Sequence, residues 1–352
     1  MRRSSEIAVI GAGQAGLAIG YHLKHAKRNF VIFDAAPTIG ETWRTRYDSM
    51  KLFTPTVLND LPGVRFPRGG PKFPSKDAMS DYLAAYAESL ALPVELNARV
   101  VRLRAVPGGY ELGTAGDTFF APQVVVATGA FQTPRLPAFS KALSPRIFQV
   151  HSSSYRNPAQ LPPGGDVLVV GSANSGAQIA LELAQHRRTY LATGNMPVYS
   201  SPQWLLDTTW AWHVHKVRAT YIKRRINWPW PFGTTQGFFV GDFFRKVRER
   251  QVVLLPRVTE VAGEEVRLAD GKTLRPSAIV WATGYGTDYS WIDLPICDAN
   301  GRPKLSRQAI AAPGLYFIGT WNQRSFASAL IFGIRTDSSY VARLIAQDLP
   351  SL

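Results

Sequence analysis

The sequence predicts an α/β protein with two nested Rossmann-like units, because one strand–turn–helix pattern occurs twice. The first copy spans residues 7–18 and the second spans residues 167–180; each is an apolar run, a glycine turn and the start of a helix. Two further apolar runs end in the same tripeptide, Ala-Thr-Gly, at 127–129 and 282–284. Because a continuous apolar run is typical of a central parallel strand, the repeat predicts two parallel sheets.

The first glycine turn has the spacing GxGxxG, and each glycine has a physical reason. Gly11 permits a tight turn, Gly13 lets a pyrophosphate approach the backbone, and Gly16 lets the helix lie close to the strand. The amino end of that helix offers free N–H groups to a phosphate. Asp34 ends the next apolar strand, close to the spacing expected of an acid that binds ribose. This context favours a dinucleotide site over a glycine turn in an ordinary core.

The composition excludes several classes of protein. With 352 residues, of which 45% are hydrophobic, the chain can build two domains and is not of the disordered class. Its formal charge of +15 suits anionic cofactors, and it also suits a membrane surface or nucleic acid. No nucleic-acid motif accompanies the charge, so no nucleic-acid partner is expected. The single cysteine, Cys297, excludes a disulfide framework and a cysteine zinc site within one chain, and we interpret it as a passive thiol.

The remaining pattern predicts the location and the domain organisation. No apolar run reaches membrane-spanning length, and the first strand begins too near the first residue for a cleavable signal, so a cytoplasmic protein without a transmembrane segment is expected. Helices are predicted at 14–26, 77–90 and 328–347, with Asp77 as the cap of the second. A stretch of proline and glycine at 162–165 predicts a domain boundary.

The repeat and several local sequences together resemble a known family. Each piece is unspecific alone, but the set spans nearly the whole chain: GAGQAG at 11–16, GETWR at 40–44 with Tyr47, LFTP at 52–55, VVVATG at 124–129, HSSSY at 151–155, GSANSG at 171–176, VWATGY at 280–285 and LYFIG at 315–319. The chain is similar to the flavin-containing monooxygenase superfamily, on the side of its small bacterial members and of the plant auxin-forming flavin monooxygenases.

The resemblance implies a flavoprotein with two dinucleotide-binding domains. The residues themselves predict no metal site. Its FAD-binding domain would comprise 1–160 and 285–352, and its NAD(P)H-binding domain 161–284, with an insertion rich in tryptophan and basic residues at about 200–250. NADPH or NADH would reduce the flavin, and O2 would add at the flavin C4a carbon. The resulting C4a-(hydro)peroxyflavin would oxygenate a small-molecule substrate at sulfur, at nitrogen or next to a ketone. No side chain is assigned as a catalytic acid or base, because such chemistry belongs largely to the cofactor.

The same resemblance implies which residues hold FAD. They are Gly11, Gly13, Gln14, Ala15 and Gly16 at the pyrophosphate, Asp34 at the ribose, Val100 at the adenine, Thr42 and Trp43 along the flavin, Leu52 and Thr54 near the isoalloxazine, and Ala127, Thr128, Gly129 and Gly319 at the neighbouring strand ends.

The nicotinamide coenzyme is expected on the second glycine turn. The residues assigned to it are Gly171, Ser172, Ala173, Asn174, Ser175, Gly176, Thr193, Ala282, Thr283 and Gly284. Ala173 replaces the middle glycine, and its methyl group predicts looser binding of the pyrophosphate. Thr193 stands at the strand end where an arginine would select NADPH and an acid would select NADH. We therefore expect weak discrimination between the two coenzymes.

The family's fingerprint, FxGxxxHxxxY/W, is matched only in its second half. His151 and Tyr155 fit it, whereas Pro145 and Ile147 stand where phenylalanine and glycine are usual. The fingerprint ends in Tyr155 and not in tryptophan, which argues against a typical Baeyer–Villiger enzyme. The serines at 152–154 lack the G-x-S-x-G elbow of a nucleophilic hydrolase, so we do not interpret them as nucleophiles.

Two other functions stay open at this stage. One is an NAD(P)H-dependent flavin reductase or oxidase that produces peroxide, and the other is a flavin-binding protein without catalysis, or one at a membrane surface. The segment 204–250 is interpreted as a lid, as a weak membrane-surface patch or as ordinary core. His213 and His215 could face a metal together, but no nearby ligand completes a site, so a packing role is favoured. The tryptophans of this segment are Trp204, Trp210, Trp212, Trp228 and Trp230. No pattern predicts the oligomeric state.

Overall fold

The computed structural model describes residues 3–194 and 249–348. The chain divides into two compact units. The first comprises Met1–Arg44, Thr54–Thr133 and Gly286–Leu352, and the second comprises Thr45–Phe53 and Pro134–Tyr285. The predicted segment 204–250, with its tryptophans, His213 and His215, lies outside the described residues up to residue 248.

The described strands are short and are numbered here in chain order. They are β1 (Arg3–Ser4), β2 (Ile7–Ile10), β3 (Phe30–Phe33), β4 (Val94–Glu95), β5 (Arg102–Val106), β6 (Gly109–Gly113), β7 (Thr118–Ala121), β8 (Gln123–Val126), β9 (Thr133–Pro134), β10 (Phe148–His151), β11 (Val167–Val170), β12 (Thr189–Ala192), β13 (Val253–Leu255), β14 (Val258–Ala262), β15 (Glu265–Leu268), β16 (Thr273–Leu274), β17 (Ala278–Trp281), β18 (Tyr285–Gly286), β19 (Ile292–Asp293), β20 (Ile310–Ala312) and β21 (Leu315–Phe317).

The helices lie close to the predicted ranges. They are α1 (Gln14–His25), α2 (Glu41–Arg44), α3 (Lys76–Ser89), α4 (Asn174–Leu183) and α5 (Ile331–Gln347), with 3-10 turns at Thr56–Leu58, Ala138–Ala142, Pro158–Gln160 and Phe326–Ala329. The predicted cap of α3 was wrong. Ser75, and not Asp77, is the N-cap, and its hydroxyl accepts a hydrogen bond from the N–H of Ala78 at 3.2 Å. Asp77 stands inside the first turn of α3, so its carboxylate follows the cap position.

The first unit is built on a six-stranded sheet with the order β20-β21-β8-β2-β3-β4. Strand β2 is central, and it pairs in parallel with β3 on one side and with β8 on the other. All four residues of β2 are buried, as are all four of β3 and of β8. A strand buried on both faces favours apolar side chains, which is why these runs do not alternate with polar residues. The one polar residue, Gln123 at the start of β8, is hydrogen-bonded to the hydroxyl of Tyr316 at 3.3 Å. A second sheet, in the order β1-β7-β6-β5-β19, packs its apolar face against the first.

The second unit repeats the arrangement in a five-stranded sheet with the order β10-β17-β11-β12-β13. Here β11 lies between β17 and β12, as β2 lies between β8 and β3. Both flanking strands are again parallel to the central one. The α/β fold with two Rossmann-like sheets is thereby confirmed. The smaller sheet β14-β15-β16 follows β13, and β9 pairs with β18.

The division of the chain differs from the boundary predicted at 162–165. Strand β10 precedes that boundary, but it pairs along its full length with β17 of the second unit's sheet. The segment Thr45–Phe53 also belongs to the second unit, although it stands between two segments of the first. A proline-rich stretch marks a loop, whereas strand pairing across more than a hundred residues decides which sheet a segment joins. The long segment of the second unit therefore begins at Pro134 and not at 162–165.

Two absences concern the described residues only. Among residues 3–194 and 249–348, no helix is long and apolar enough to cross a membrane. Within the same part of the chain, no group of three or more His, Cys, Asp or Glu side chains could hold a metal ion.

Candidate functional site

The first glycine turn lies where the parallel strands of the first unit end. The N–H of Gly11 donates to the carbonyl of Phe33 at 2.7 Å, and the N–H of Ala127 donates to Ile10 at 2.9 Å. Gly11 has φ +109°, and a Cβ there would lie 2.7 Å from the carbonyl oxygen of Ala127. A Cβ on Gly16 would lie 1.8 Å from the carbonyl oxygen of Gly11. Close packing against neighbouring backbone therefore fixes both residues as glycine.

Gly13 is different, because a Cβ there would meet no atom within 4 Å. Gly13 is the N-cap of α1, its φ is −75°, and no side chain caps the helix. The backbone alone would accept another residue at this position. The open space and the uncapped N–H groups therefore fit the pyrophosphate of a dinucleotide, whose oxygens would complete the helix end.

Asp34 follows β3 and links the turn to the adenosine side of the expected site. Its carboxylate accepts hydrogen bonds from the N–H of Ala12 at 2.6 Å and from the N–H of Ala36 at 2.8 Å. Two accepted bonds leave further lone pairs for ribose hydroxyls. The N–H of Ala98 donates to the carbonyl of Asp34 at 2.8 Å, so the segment that leads to Val100 runs beside this acid. The structure thus brings together Asp34 and Ala98, which lie far apart in the sequence.

The residues expected along the flavin are only partly brought together. Trp43, in α2, donates from its indole N–H to the side-chain oxygen of Gln14 at 3.4 Å, and Thr42 beside it is exposed. Thr54 is buried, and its hydroxyl is bonded to Asn59 at 2.6 Å. Leu52 is also buried, but it belongs to the second unit, whereas Thr54 belongs to the first.

Three strand ends meet beside the first turn of α1. A Cβ on Gly319, whose φ is +84°, would lie 3.2 Å from the Cβ of Ala15 and 4.0 Å from the Cα of Gly129. The turns that follow β2, β8 and β21 are therefore neighbours at one edge of the sheet. In open α/β sheets, ligands bind outside this carboxyl edge.

Two glutamines that sequence reasoning missed hold these turns. The side-chain NH2 of Gln132 donates to the hydroxyl of Thr128 at 3.0 Å and to the carbonyl of Gly129 at 2.9 Å. Gln323 donates to the carbonyl of Phe317 at 2.6 Å and accepts from the hydroxyl of Thr320 at 3.2 Å. The only sequence signal is a glutamine shortly after each glycine, which is too common to be predictive.

The second glycine turn reproduces the contacts of the first. The N–H of Gly171 donates to Ala192 at 2.9 Å, and the N–H of Ala282 donates to Val170 at 2.8 Å. A Cβ on Gly171 would lie 2.4 Å from the carbonyl oxygen of Ala282, and one on Gly176 would lie 1.8 Å from that of Gly171. Backbone packing therefore requires these two glycines as it requires their counterparts.

Ala173 takes the place of Gly13 as the N-cap of α4, again without a side-chain cap. Its φ of −70° is ordinary for alanine, so the methyl group costs nothing in the backbone. Ser172 is buried, whereas Asn174 and Ser175 in the first turn of α4 are half-buried. The amino end of α4 fits a pyrophosphate. The methyl group of Ala173 occupies the space that is left open beside Gly13 in the first glycine turn.

Thr193 occupies the position that Asp34 has in the first unit. The N–H of Asp34 donates to Glu95 of the neighbouring strand at 2.9 Å, and that of Thr193 donates to Leu255 at 2.9 Å. The hydroxyl of Thr193 also donates to the carbonyl of Leu255, at 3.2 Å. At this position the second unit therefore has a hydroxyl where the first has a carboxylate. Arg187 donates to the carbonyl of Pro162 at 2.8 Å, near the opposite ends of the strands.

The segment Thr45–Phe53 packs on α4. The hydroxyl of Tyr47 donates to the side-chain oxygen of Gln178 at 3.1 Å, and Gln178 also exchanges bonds with the backbone of Lys51 at 3.2 Å and 3.0 Å. Burial raises the pKa of the Tyr47 hydroxyl well above its usual value, although a hydrogen bond with Ser175 lowers it. Tyr47 therefore stays a proton donor beside the first turn of α4.

His151 holds the strand end that faces the second turn. Its Nε2 lies 3.0 Å from the carbonyl oxygen of Gly284, and its Nδ1 accepts from the N–H of Ser153 at 3.1 Å. These partners require a neutral ring that carries its proton on Nε2. Burial lowers the pKa of His151, opposed by the bond to Gly284 and aided by Arg46. Thr283 donates its hydroxyl to the carbonyl of Arg135.

The fingerprint tyrosine has a structural role. Tyr155 is fully buried, and its hydroxyl donates to the carboxylate of Glu182 in α4 at 2.8 Å.

A separate contact joins Arg46 to Tyr285. Arg46 donates to the hydroxyl of Tyr285, and its guanidinium lies 4.9 Å from the centroid of that ring. The sequence singled out neither Arg46 nor Glu182.

Comparison with known proteins identifies the family. The profile of the pyridine nucleotide-disulphide oxidoreductase family matches residues 8–203, more than half of the chain. The chain belongs to this family. An oxidoreductase named CzcO-like from Geobacillus kaustophilus is 36% identical, over 97% of this chain and 98% of its own length. The probable indole-3-pyruvate monooxygenase YUCCA3 from Arabidopsis thaliana is 26% identical, over 96% of this chain and 86% of its own.

A solved structure supports the same assignment. A mutant flavin monooxygenase from Stenotrophomonas maltophilia superposes with a TM-score of 0.84 and 25% identity, covering 98% of this chain and 99% of that one. The family match and this structural similarity together show that the chain is an NAD(P)H-dependent flavoprotein oxidoreductase of the flavin monooxygenase type. Its flavin is FAD. The expected resemblance and the expected cofactors are confirmed.

Proposed function

We propose that the chain uses NAD(P)H and O2 to oxygenate a small organic substrate at sulfur, at nitrogen or by a Baeyer–Villiger reaction. The observation that carries the proposal is the combination of two dinucleotide-type turns with a single cysteine. Reduction of a disulfide through the protein needs two thiols, because electrons pass by attack of a thiolate on a disulfide. Burial also raises the pKa of the Cys297 thiol, which makes it a poor nucleophile.

In this proposal, each glycine turn binds one of the two cofactors. The first unit would hold FAD through the backbone at 11–16, the carboxylate of Asp34 and the strand ends at 127–129 and Gly319. The second would hold the coenzyme on 171–176, with His151 positioning the strand end at 282–284. Bound FAD supplies the capacity to accept a hydride from NAD(P)H and to react with O2. The protein's own groups bind, orient and exclude water.

The overall reaction balances without a thiol or a metal. NAD(P)H gives two electrons, one oxygen atom enters the substrate, and the other leaves as water after taking up protons. The purified protein with FAD is incubated with NAD(P)H, 18O2 and a panel of sulfides, amines and ketones. We expect product that carries one 18O atom, in proportion to the NAD(P)H consumed.

The same measurement separates the alternatives. Hydrogen peroxide equal to the NAD(P)H consumed, without labelled product across the panel, would identify a flavin oxidase or reductase. Bound FAD that NAD(P)H does not reduce would identify a flavin-binding protein without this catalysis.

A further inference from the structure

Two partly exposed aromatic rings lie at the edge of the first unit's sheet. Phe131 and Trp321 are each 39% exposed, and they are the only aromatic side chains among the large exposed hydrophobic residues of the described chain. Their ring centroids are 5.3 Å apart and their planes cross at 78°, which is the edge-to-face arrangement. Single exposed apolar residues need no explanation, but two large rings that pack on each other and stay partly exposed offer a surface for a ligand.

The position of the pair coincides with the cofactor edge of the sheet. Phe131 comes two residues after Gly129, at the end of β8, and Trp321 comes two residues after Gly319, at the end of β21. Strands β8 and β21 are paired in parallel, so both turns emerge side by side. The Cβ position of Gly319 also lies 3.2 Å from the Cβ of Ala15, in the first turn of α1. The rings therefore stand at the same carboxyl edge as the glycine turn.

Both rings are carried on turns that side chains hold in place. Gln132, next to Phe131, donates to Thr128 and Gly129 and accepts the N–H of Asp288 at 2.8 Å. Gln323, two residues after Trp321, bonds back to Phe317 and Thr320, which both precede Trp321. Turns fixed by such bonds present their rings with little entropy left to lose, which favours affinity.

The cation nearest to Trp321 in the sequence is already paired. The closest cation along the chain after Trp321 is Arg324, and its guanidinium is paired with the buried carboxylate of Asp337 at 2.9 Å and lies 3.9 Å from the centroid of Tyr340. The rings offer contact area, an edge-to-face geometry and affinity for polarizable sulfur. This chemistry suits a neutral substrate that carries an aromatic ring, including an aryl thioether.

We propose that Phe131 and Trp321 determine substrate specificity by contacting the apolar ring of a neutral aromatic substrate at the flavin site. This inference rests on the proposed oxygenation, and it adds a substrate class and two residues to it. The pair has no part in accepting the hydride or in holding the pyrophosphate, so its removal affects substrate binding and leaves FAD binding intact.

The test compares two sulfides that react at the same kind of atom, a thioether sulfur. Methyl phenyl sulfide carries a ring, and dimethyl sulfide does not. In Trp321→Ala and Phe131→Ala, we expect kcat/KM for methyl phenyl sulfide to fall about 10-fold relative to dimethyl sulfide, because a buried ring contact is lost. Trp321→Phe keeps a ring and should recover most of the preference. Leu254→Ala removes another side chain that is 39% exposed, in the second unit, and should leave the ratio unchanged.

A binding measurement makes the inference independent of turnover. The oxidised holoprotein is titrated with methyl phenyl sulfide in the absence of NAD(P)H, and the flavin absorbance is followed. Binding that Trp321→Ala weakens about 10-fold supports the inference even where no sulfoxide forms, in which case the proposed oxygenation of this sulfide fails alone. The inference is overturned by equal effects of Trp321→Ala and Leu254→Ala, by no binding to the wild type, or by loss of FAD from Trp321→Ala, which would place the rings on the cofactor.

Discussion

At the scale of single residues, glycines within one motif have different reasons to be glycine. Gly16 is surrounded by backbone, whereas Gly13 faces open space. Backbone packing therefore explains the glycine at position 16 but not the one at position 13, and we propose that Gly13 leaves room for a ligand.

This difference predicts opposite results for two substitutions. Gly13→Val should leave the melting temperature of the FAD-free protein unchanged and weaken FAD at least about 10-fold, because the side chain fills the place of the pyrophosphate. Gly16→Ala should lower the free energy of unfolding by about 1–3 kcal/mol or more, since its methyl group meets the carbonyl of Gly11. Thermal unfolding and FAD titration measure both. A Gly13→Val protein that binds FAD like the wild type would exclude this turn as the pyrophosphate site.

Thr193 predicts the choice of coenzyme. An arginine–phosphate bond is worth about 1.5–3 kcal/mol, and this strand is followed by a threonine and not by an arginine. NADH and NADPH should therefore reduce the flavin with efficiencies within about 10-fold. Thr193→Arg should raise the affinity for NADPH selectively. Thr273→Arg is the matched control, because Thr273 is exposed on another sheet of the same unit. Stopped-flow reduction decides this, and a wild-type preference for NADPH far beyond 100-fold would contradict it.

At the scale of elements, the same strand–turn–helix unit has been used twice with one change of detail. Both turns are closed by the same two backbone hydrogen bonds, but the first ends in a carboxylate and the second in a hydroxyl. The strand end at 282–284 has an additional support, because His151 at the end of β10 bonds the carbonyl of Gly284.

That support makes the second unit sensitive to acid. The pKa of His151 is lowered from its ordinary 6.5 by burial, so the unfolded chain binds a proton more readily than the native one. Stability from this group is present above pH of about 6.5 and is lost as the pH falls through that value towards the native pKa. We expect His151→Asn to unfold at lower urea concentration at pH 7.5 and to show a smaller further loss at pH 5.5. The exposed His186→Gln should retain the wild-type pH dependence. An unchanged pH dependence in His151→Asn would contradict the assignment.

At the scale of the whole molecule, two dinucleotide units and one cysteine define the expected chemistry. The chain should be isolated yellow and release FAD, because Asp34 has an adenosine ribose to bind only in a dinucleotide. Heating the protein and separating the released flavin by chromatography checks this, with Gly13→Val as the control that should release little. FMN in the released fraction would remove the reason given for Asp34.

Much of the fold was readable from the chain, because it depends on local rules. Buried parallel strands are continuous apolar runs, and glycine turns have fixed spacing, so strands β2, β3, β8, β11 and β17 and the helix starts could be placed. Many of the candidate cofactor residues follow from the same pattern. One exception is the cap of α3, which was misplaced because two polar residues with capping ability, Ser75 and Asp77, stand two positions apart.

What the sequence by itself determined is therefore the identity of the two turns, the strands that lead to them and the absence of a second cysteine. The tertiary structure alone decided that Thr45–Phe53 and β10 belong to the second unit, that Gln132 and Gln323 hold the strand ends, and that Phe131 lies against Trp321. The physical reason is that a turn is encoded by neighbours in sequence, whereas the pairing of β8 with β21 joins residues almost two hundred positions apart. No local pattern records which distant strand a segment will join.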